Sequence, residues 1–249
     1  MQTQVLELPT VKSEVDLKWS SQKLGVIGPS GIGKSKLFSF CDKTFYIQTE
    51  AGLNHLAVKK LPARSWAEYK KIEALLIQSY NQGKFPYEGG TVVLDTIDRL
   101  VSLAEQEAIE RGQDKFKSIE INTIGDVPNG AGWMWRTNLV MGALEKLENL
   151  PCAVAFIGHL ENKEIKEPTR SVHKQTISIG GKLGLQLCAW TDHLLNIDSK
   201  FVGNEAKRMV RTRPTPTIDA KSREGCVPDR WVWSSVDKEN WDKLRSFFK

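Results

Sequence analysis

A short glycine-containing segment constrains the fold of this 249-residue chain more than any other feature. The segment Gly28-Pro-Ser-Gly-Ile-Gly-Lys-Ser35 fits the pattern G-x-x-x-x-G-K-[ST]. It follows the apolar run Leu24–Ile27, which is typical of a buried strand, and it precedes a helical pattern over residues 34–40. A strand, a glycine-rich turn and a helix in this order form a phosphate-binding loop, because backbone N–H groups and the helix N-terminus point at the anion.

The chemistry of this loop indicates ATP and Mg²⁺ as cofactors. Lys34 is expected to reach the β and γ phosphates, where it would act in catalysis, and Ser35 is expected to ligate the metal ion. The residues predicted to bind the nucleotide are Gly28, Pro29, Ser30, Gly31, Ile32, Gly33, Lys34, Ser35 and Lys36.

Two further apolar runs predict an α/β fold with a mostly parallel central sheet. Thr91–Leu94 and Cys152–Ile157 are too short for helices and suit buried strands. Additional strands are predicted at 44–48 and 193–197, and helices at 66–80 and 135–150, so strands and helices alternate along the chain. An antiparallel pair around 209–213 and 230–233 predicts a C-terminal extension. No linker divides the chain, so we expect one domain over 1–249, with 1–20 as a lead-in.

Composition and charge narrow the class of protein. With 40% hydrophobic and 26% charged residues the chain has an ordinary globular composition, which excludes global disorder. It shows neither a secretory signal nor an apolar run of the roughly 18 residues that a membrane span needs, so we expect a cytoplasmic location without membrane association. Residues 161–249 hold 17 basic and 12 acidic side chains, and this excess of 17 − 12 = +5 equals the whole net charge. A polyanionic partner and plain solubility explain this bias equally well.

Polar residues stand at the ends of three predicted strands. Asp95 ends the run after Leu94, where a carboxylate would hold Mg²⁺ opposite Ser35; Asp98 is the weaker candidate, and Asp95 can also cap the following helix. Glu50 follows strand 44–48 and is either a base for the attacking water or an exposed loop residue. His159 follows the run 152–157 and either senses the γ phosphate or is structural.

The order of these segments resembles the RecA-like ATPase core. The resemblance rests on Gly28–Ser35, Thr44–Glu50, Thr91–Asp95 and Ala155–His159, spans roughly 24–225, and is strongest to compact phage-encoded members linked to single-strand annealing and recombination. It implies that Glu50 activates water and that His159, where bacterial RecA proteins carry glutamine, couples the nucleotide to DNA-binding loops. A phage-encoded protein of this kind would act in the host cytoplasm.

The resemblance also gives a meaning to a basic pair near the C-terminus. RecA-like and KaiC-like ATPases form rings or filaments in which a K-x-R or K-x-K pair reaches the γ phosphate of the neighbouring subunit. Lys221 and Arg223 have this spacing, and residues two apart on a strand face the same side. The resemblance therefore implies a homo-oligomer with trans-acting Lys221 and Arg223, although the pair also fits a solvated basic turn.

Two polar segments, 112–133 and 161–183, are predicted to lack regular structure, and the resemblance implies that they are DNA-binding loops. Lysine and arginine supply most non-specific affinity for DNA. Aromatic side chains at Phe116, Trp133 and Trp135 either stack on bases or pack into the core. The basic residues predicted to bind DNA are Lys115, Lys117, Lys163, Lys166, Arg170, Lys174 and Lys182.

Together these features predict an ATPase, stimulated by DNA, that binds single-stranded DNA for recombination or annealing and hydrolyses ATP at subunit interfaces. A helicase or helicase loader is one alternative. A protein that binds ATP as an assembly switch without hydrolysing it is another.

Overall fold

The structure is a computed structural model that describes residues 10–12, 14–166, 171–203, 205–223, 227–233 and 235–248. Within them the strands are β1 Lys23–Ile27, β2 Thr44–Gln48, β3 Lys59–Pro62, β4 Thr91–Asp95, β5 Ala153–Gly158, β6 Leu160–Lys166, β7 Ser171–Ile177, β8 His193–Val202, β9 Glu205–Arg211, β10 Lys221–Ser222 and β11 Arg230–Trp233. The α-helices are α1 Lys34–Phe38, α2 Trp66–Asn81, α3 Ile97–Lys115, α4 Ala131–Leu147, α5 Gly181–Trp190 and α6 Lys238–Ser246.

The main sheet has the order β11-β9-β8-β1-β5-β4-β2-β3, and β10 pairs with the start of β8. The six strands from β8 to β3 run parallel, whereas β9, β10 and β11 pair antiparallel at one side. The predicted fold class is therefore confirmed, including the C-terminal antiparallel extension. Among the described residues, no helix has both the length and the apolar character that crossing a bilayer requires.

Both faces of the sheet are covered by helices, which explains the unbroken apolar runs of the central strands. Every residue of β4 and β5 is buried. Alternate strand residues face opposite sides, so Val92 and Leu94 pack against α2 to α5, while Val93 packs against α1 and α6. Capping side chains start α2, α3 and α6; at Ser65, for example, the hydroxyl accepts a hydrogen bond from the N–H of Glu68.

The prediction that segments 112–133 and 161–183 lack regular structure is wrong. Residues 112–115 end α3, two short 3-10 turns follow at 124–126 and 128–130, and α4 starts at Ala131 rather than at 135. The second segment contains most of the hairpin β6–β7 and the start of α5. Its strands lack apolar alternation because they pair mainly with each other outside the main sheet. Strand β3 and helix α6 were not predicted from the sequence.

The parallel strands bring the predicted polar residues to one edge of the sheet. Asp95 pairs with Ile157 in the β4–β5 register, and Gln48 pairs with Asp95 across β2–β4. The loop after β1 opens at the same edge, because Ile27 pairs with Gly158. The carboxyl ends of parallel strands form the usual ligand-binding edge of such sheets.

Candidate functional site

The phosphate loop lines a cavity of about 470 Å³ together with residues from the ends of β4 and β5. Gly31 and Gly33 have φ angles of +77° and +103°, which non-glycine residues rarely adopt. Gly28 lies against the backbone of β8, where a Cβ atom would come within 2.6 Å of the carbonyl oxygen of Ile197. The loop members that line the cavity are Ser30, Gly31, Gly33, Lys34, Ser35 and Lys36.

Lys34 is held inside the loop by the backbone of its first residues. Its side-chain Nζ donates hydrogen bonds to the carbonyl oxygens of Gly28, at 2.7 Å, and Pro29, at 2.9 Å. Burial lowers the pKa of Lys34, while the carboxylates of Asp95, Asp98 and Glu50 act in the opposite direction. The three carboxylates therefore favour a charged ammonium group at the place where a polyphosphate would need it.

Asp95 and Ser35 together offer oxygen ligands to a divalent cation. The Asp95 side chain is 6% exposed, and a hydrogen bond with Ser35 links the two residues. Its Oδ2 atom has no hydrogen-bond partner among the described residues. Burial raises the pKa of Asp95, and this effect is opposed by the Ser35 hydrogen bond. A buried, unsatisfied carboxylate oxygen beside a hydroxyl fits Mg²⁺, which prefers a few hard oxygen ligands and keeps several waters.

Glu50 lies at the rim of the same cavity and is fixed by the end of β4. Its Oε2 atom accepts a hydrogen bond of 3.1 Å from the hydroxyl of Thr96, and its backbone N–H donates to the carbonyl oxygen of Asp95. Thr49 is tied to the same segment, since its hydroxyl donates to the carbonyl oxygen of Thr96 at 2.7 Å. Thr96 therefore orients Glu50, a role that the sequence analysis did not assign.

His159 lines the cavity and contacts Asp98, the weaker of the two candidates for the metal ligand. Asp98 Oδ2 lies 3.0 Å from the backbone nitrogen of His159 and 3.3 Å from its ring Nδ1. Asp98 Oδ1 accepts a hydrogen bond from the hydroxyl of Ser178, and the N–H of Ser178 donates to the carbonyl oxygen of His159. Asp98 thus joins the cavity to both ends of the hairpin β6–β7, whereas Asp95 is the carboxylate beside Ser35.

The antiparallel extension supplies cavity residues that the sequence analysis missed. Arg208 on β9 donates from Nε to the carbonyl oxygen of Ile32 at 2.8 Å, and Ser235 and Val236 line the same cavity. A Cβ atom on Gly33 would come within 2.6 Å of the Val236 side chain. No local motif marks these residues, because the strand order alone places β9 and the segment after β11 beside the loop.

A family comparison agrees with this geometry. Residues 20–224 match the AAA_24 model, described as an AAA domain. The chain belongs to the AAA_24 family. It is also 28% identical over 136 residues to the SPbeta prophage-derived uncharacterized protein YorG of Bacillus subtilis (strain 168). That match includes 54% of this chain and 39% of the prophage protein, so it spans well under half of the relative's length.

Among solved structures, the flagellar accessory protein FlaH from Methanocaldococcus jannaschii is similar, with 12% identity, a TM-score of 0.40 and 77% coverage of both chains. The family match, together with the observed strand order, confirms the predicted RecA-like P-loop ATPase class, and the prophage-derived relative agrees with the predicted likeness to phage-encoded proteins. An AAA domain belongs to a general class of P-loop proteins that use a nucleotide and usually Mg²⁺.

Lys221 and Arg223 lie at the opposite edge of the sheet from the phosphate loop of their own chain. Lys221 pairs with Leu194 near the start of β8, a strand that runs parallel to β1. Its amino group donates to the carbonyl oxygens at the end of α5, at 2.8 Å for Ala189, 3.2 Å for Cys188, and also to Thr191. Arg223 also donates to the carbonyl oxygen of Ala189, so both side chains point to the same side, and both cap α5 within the subunit.

The residues predicted to bind DNA fall into separate groups. Lys115 and Lys117 are exposed at the end of α3, and Lys182 is exposed in the first turn of α5. Lys163 and Lys174 stand directly opposite each other in the hairpin, which also includes Lys166. Arg170, like residues 1–9 and 13 of the predicted lead-in, lies outside the described residues.

Proposed function

We propose that this chain binds single-stranded DNA and couples it to ATP hydrolysis in a recombination or annealing step. One observation carries the proposal: Asp98 links His159, in the nucleotide cavity, to Ser178, at the end of the hairpin. A γ phosphate beside His159 would change the hydrogen bonding of Asp98, and the hairpin is attached to the same carboxylate. A local contact of this kind can order a neighbouring segment, as in other nucleotide switches.

The hydrolytic roles follow from the positions around the loop. Lys34 would bind the β and γ phosphates, and Ser35 with Asp95 would hold Mg²⁺. When bound, this ion neutralises charge on the phosphates. Glu50, oriented by Thr96, would accept the proton of the attacking water.

The hairpin β6–β7 has a small net charge, so individual lysine side chains would make its contacts with DNA phosphates. Residues 160–177 hold four Lys and Arg and three Glu, so 4 − 3 = +1. Lys163 and Lys174 face each other across the strands, and like charges in that position are unfavourable. Asp219 lies 2.6 Å from Lys174 and relieves part of this repulsion. A DNA phosphate would relieve it further, which favours an anionic ligand at this pair.

We further propose that the active form is a homo-oligomer, ring or filament, whose subunits contribute a basic residue to the neighbouring cavity. Arg223 suits this role better than Lys221, because its side chain is 49% exposed, and it makes one carbonyl hydrogen bond of 3.2 Å, to Ala189, and one long ion pair of 3.6 Å, with Asp192. Lys221 has three carbonyl partners within its own subunit and would have to leave them. Mixing Arg223→Ala subunits with Lys34→Ala subunits tests the role, since only a trans-acting arginine restores activity at the mixed interfaces.

The central experiment measures phosphate release from ATP with and without single-stranded DNA across a salt series. Stimulation by DNA that weakens with salt is expected, because binding to phosphates releases counterions. Lys34→Ala should abolish the activity. Ser178→Ala, directly after β7, should keep the DNA-free rate and lose stimulation, whereas Ser171→Ala, at the start of β7, should behave as wild type.

Other outcomes assign other functions. Hydrolysis that is indifferent to DNA would refute the proposal and leave a P-loop ATPase with another partner. Strand separation in an unwinding assay would favour a helicase, and loading of a separate helicase would favour a loader. A complete lack of phosphate release with intact ATP binding would favour an ATP-switched binding protein.

A further inference from the structure

The segment 217–223, which we call the strap, joins the hairpin β6–β7 to the basic pair near the C-terminus. At the start of the strap, the N–H of Gln175 on β7 donates to the carbonyl oxygen of Thr217 at 2.8 Å. The N–H of Asp219 donates to the carbonyl oxygen of Gln175 at 2.9 Å. The strap then leaves the hairpin and pairs, as β10, with the start of β8. One short run of chain therefore carries both a hairpin contact and the basic pair.

Asp219 is the acidic residue of the strap, and the hairpin holds its carboxylate. Oδ1 of Asp219 lies 2.6 Å from Nζ of Lys174, and the two side chains are 28% and 29% exposed. Partly buried ion pairs are screened less by salt than those on the open surface. The carbonyl oxygen of Asp219 accepts a hydrogen bond of 3.1 Å from Nδ2 of Asn196 on β8. The main chain of Asp219 is thus fixed, while the direction of its carboxylate depends on Lys174.

Three charged side chains share a cavity of about 700 Å³ between the hairpin, α5 and the strap. They are Lys174, Asp219 and Lys221. The thiol of Cys188 on α5 lies within reach of all three charges. Burial raises the pKa of this thiol to about 11, Asp219 adds to the rise, and the two lysines oppose it. Asp219 therefore has a second cation close by, and the open volume allows its carboxylate to turn from one lysine to the other.

The basic pair itself is held within its own subunit. The amino group of Lys221 donates to three carbonyl oxygens at the end of α5, including that of Ala189. Arg223 donates to the same oxygen of Ala189 and forms the long ion pair with Asp192. Both cations are therefore engaged in contacts of their own subunit, so a role at a neighbouring nucleotide requires a step that releases them.

We propose that Asp219 is a positioning residue that changes partner from Lys174 to Lys221 when DNA binds the hairpin. The proposal rests on the proposed function, because it assumes the DNA contact at Lys174 and the trans-acting role of Arg223. A DNA phosphate at Lys174 brings a negative charge next to the Asp219 carboxylate, and like charges repel. Turned towards Lys221, the carboxylate competes with the carbonyl oxygens of α5 for the amino group.

The exchange releases the C-terminal half of the strap from α5. Lys221 leaves the helix end, and Arg223, two residues further, becomes able to reach the cavity of the neighbouring subunit. DNA interacts more favourably with this arrangement, because the Asp219 carboxylate has turned away from its phosphate, and a ligand shifts an equilibrium only through such a difference. A local electrostatic change thus biases a two-state element, and DNA stimulation of hydrolysis follows from it.

Phosphate release at saturating ATP, measured without DNA and with saturating oligothymidylate, tests the exchange, because the two partners of the ion pair have opposite effects. Lys174→Met lets Asp219 pair with Lys221 even without DNA. The DNA-free rate should therefore rise about fivefold or more, the lower end of typical coupling between sites. Asp219→Asn removes the carboxylate that draws Lys221 away, so the DNA-free rate should stay low and most of the stimulation should be lost. The double variant Lys174→Met/Asp219→Asn should also have a low DNA-free rate, which completes a double-mutant cycle.

Further variants control for indirect effects. Asp219→Glu keeps the carboxylate and should keep much of the stimulation. Arg213→Met and Asp229→Asn each break another ion pair, the 2.9 Å contact between these two residues, and both should behave as wild type. Adding Arg223→Ala to Lys174→Met should abolish the rise in the DNA-free rate, because the residue that the strap releases is then missing.

The outcomes separate this inference from the proposed function. If DNA does not stimulate wild type, the proposed function fails and this inference fails with it. If DNA stimulates wild type but Lys174→Met does not raise the DNA-free rate, the inference alone fails. It also fails if Lys174→Met and Asp219→Asn change that rate in the same direction. A merely structural ion pair would give this last result, because removing either partner leaves the other without its pair.

Discussion

Acid should destabilise this protein through one buried histidine, His193. This residue starts β8 and has no exposed surface. Its Nδ1 lies 3.0 Å from the hydroxyl of Ser222 and its Nε2 lies 3.1 Å from Oε1 of Gln22. Burial lowers the pKa of His193 from 6.5 to about 4, and Lys221 is among the charges that act in the same direction. The folded protein therefore holds this imidazole neutral under conditions in which the unfolded chain would protonate it.

The sign and size of the effect follow from proton linkage. Between pH 6.5 and about 4 the unfolded state binds more protons at this site than the folded state does. The contribution of His193 to the free energy of unfolding is therefore fully present above pH 6.5 and is lost as the pH decreases. Two pKa values this far apart correspond to a limit of about 3 kcal/mol, and at about pH 5 the expected loss is about 2 kcal/mol. That loss is a large fraction of the stability of a typical domain.

The test compares the free energies of unfolding in urea of wild type and His193→Gln at about pH 8 and about pH 5. Glutamine keeps hydrogen-bonding capacity and cannot be protonated in this range, so the variant should lose about 2 kcal/mol less than wild type on acidification. His55→Gln, a change at an exposed histidine, is the matched control and should follow wild type. Equal losses for wild type and His193→Gln would refute the reasoning.

Four other substitutions test the fold and the site. Gly184→Ala would place a Cβ atom 1.9 Å from the carbonyl oxygen of Ile179 and should prevent folding to a stable state. In contrast, Gly142→Ala meets open space in α4 and should raise the free energy of unfolding by about 1 kcal/mol. Circular dichroism and urea denaturation measure both effects. Asp95→Asn should raise the melting temperature, because it removes a buried charge. It should also abolish phosphate release from ATP. Retained hydrolysis would contradict the role of Asp95 as a ligand of Mg²⁺. Lys221→Met should lower stability by about 1 kcal/mol through loss of the cap on α5, and an unchanged melting temperature would favour a purely intersubunit role.

The nucleotide site was accessible from the sequence because its chemistry is local. A phosphate loop needs glycines, a lysine and a serine at fixed spacing between a strand and a helix, and all of them are neighbours in the chain. The ends of buried strands are equally recognisable, so Asp95, Glu50 and His159 could be placed at one sheet edge before the structure was known. Their catalytic roles remain predictions that the experiments above address.

The hairpin β6–β7 shows where local patterns were insufficient. Its residues are mostly polar or charged and show no regular apolar alternation, so periodicity gave no strand signal. The strands form because their backbone groups pair with each other, and because Gln175 on β7 exchanges hydrogen bonds with Thr217 and Asp219 far along the chain. Such pairing depends on which segments the main sheet brings together.

The sequence by itself determined the class of this protein, since the phosphate loop and the buried parallel strands are encoded in runs of adjacent residues. Only the tertiary structure decided that Asp98 joins His159 to Ser178, that Arg208 lies beside the phosphate loop, and that Lys221 caps a helix of its own subunit. The physical reason is separation along the chain. Each of these contacts joins residues tens of positions apart, and the order of strands in the sheet, rather than any nearby side chain, brings them within hydrogen-bonding distance.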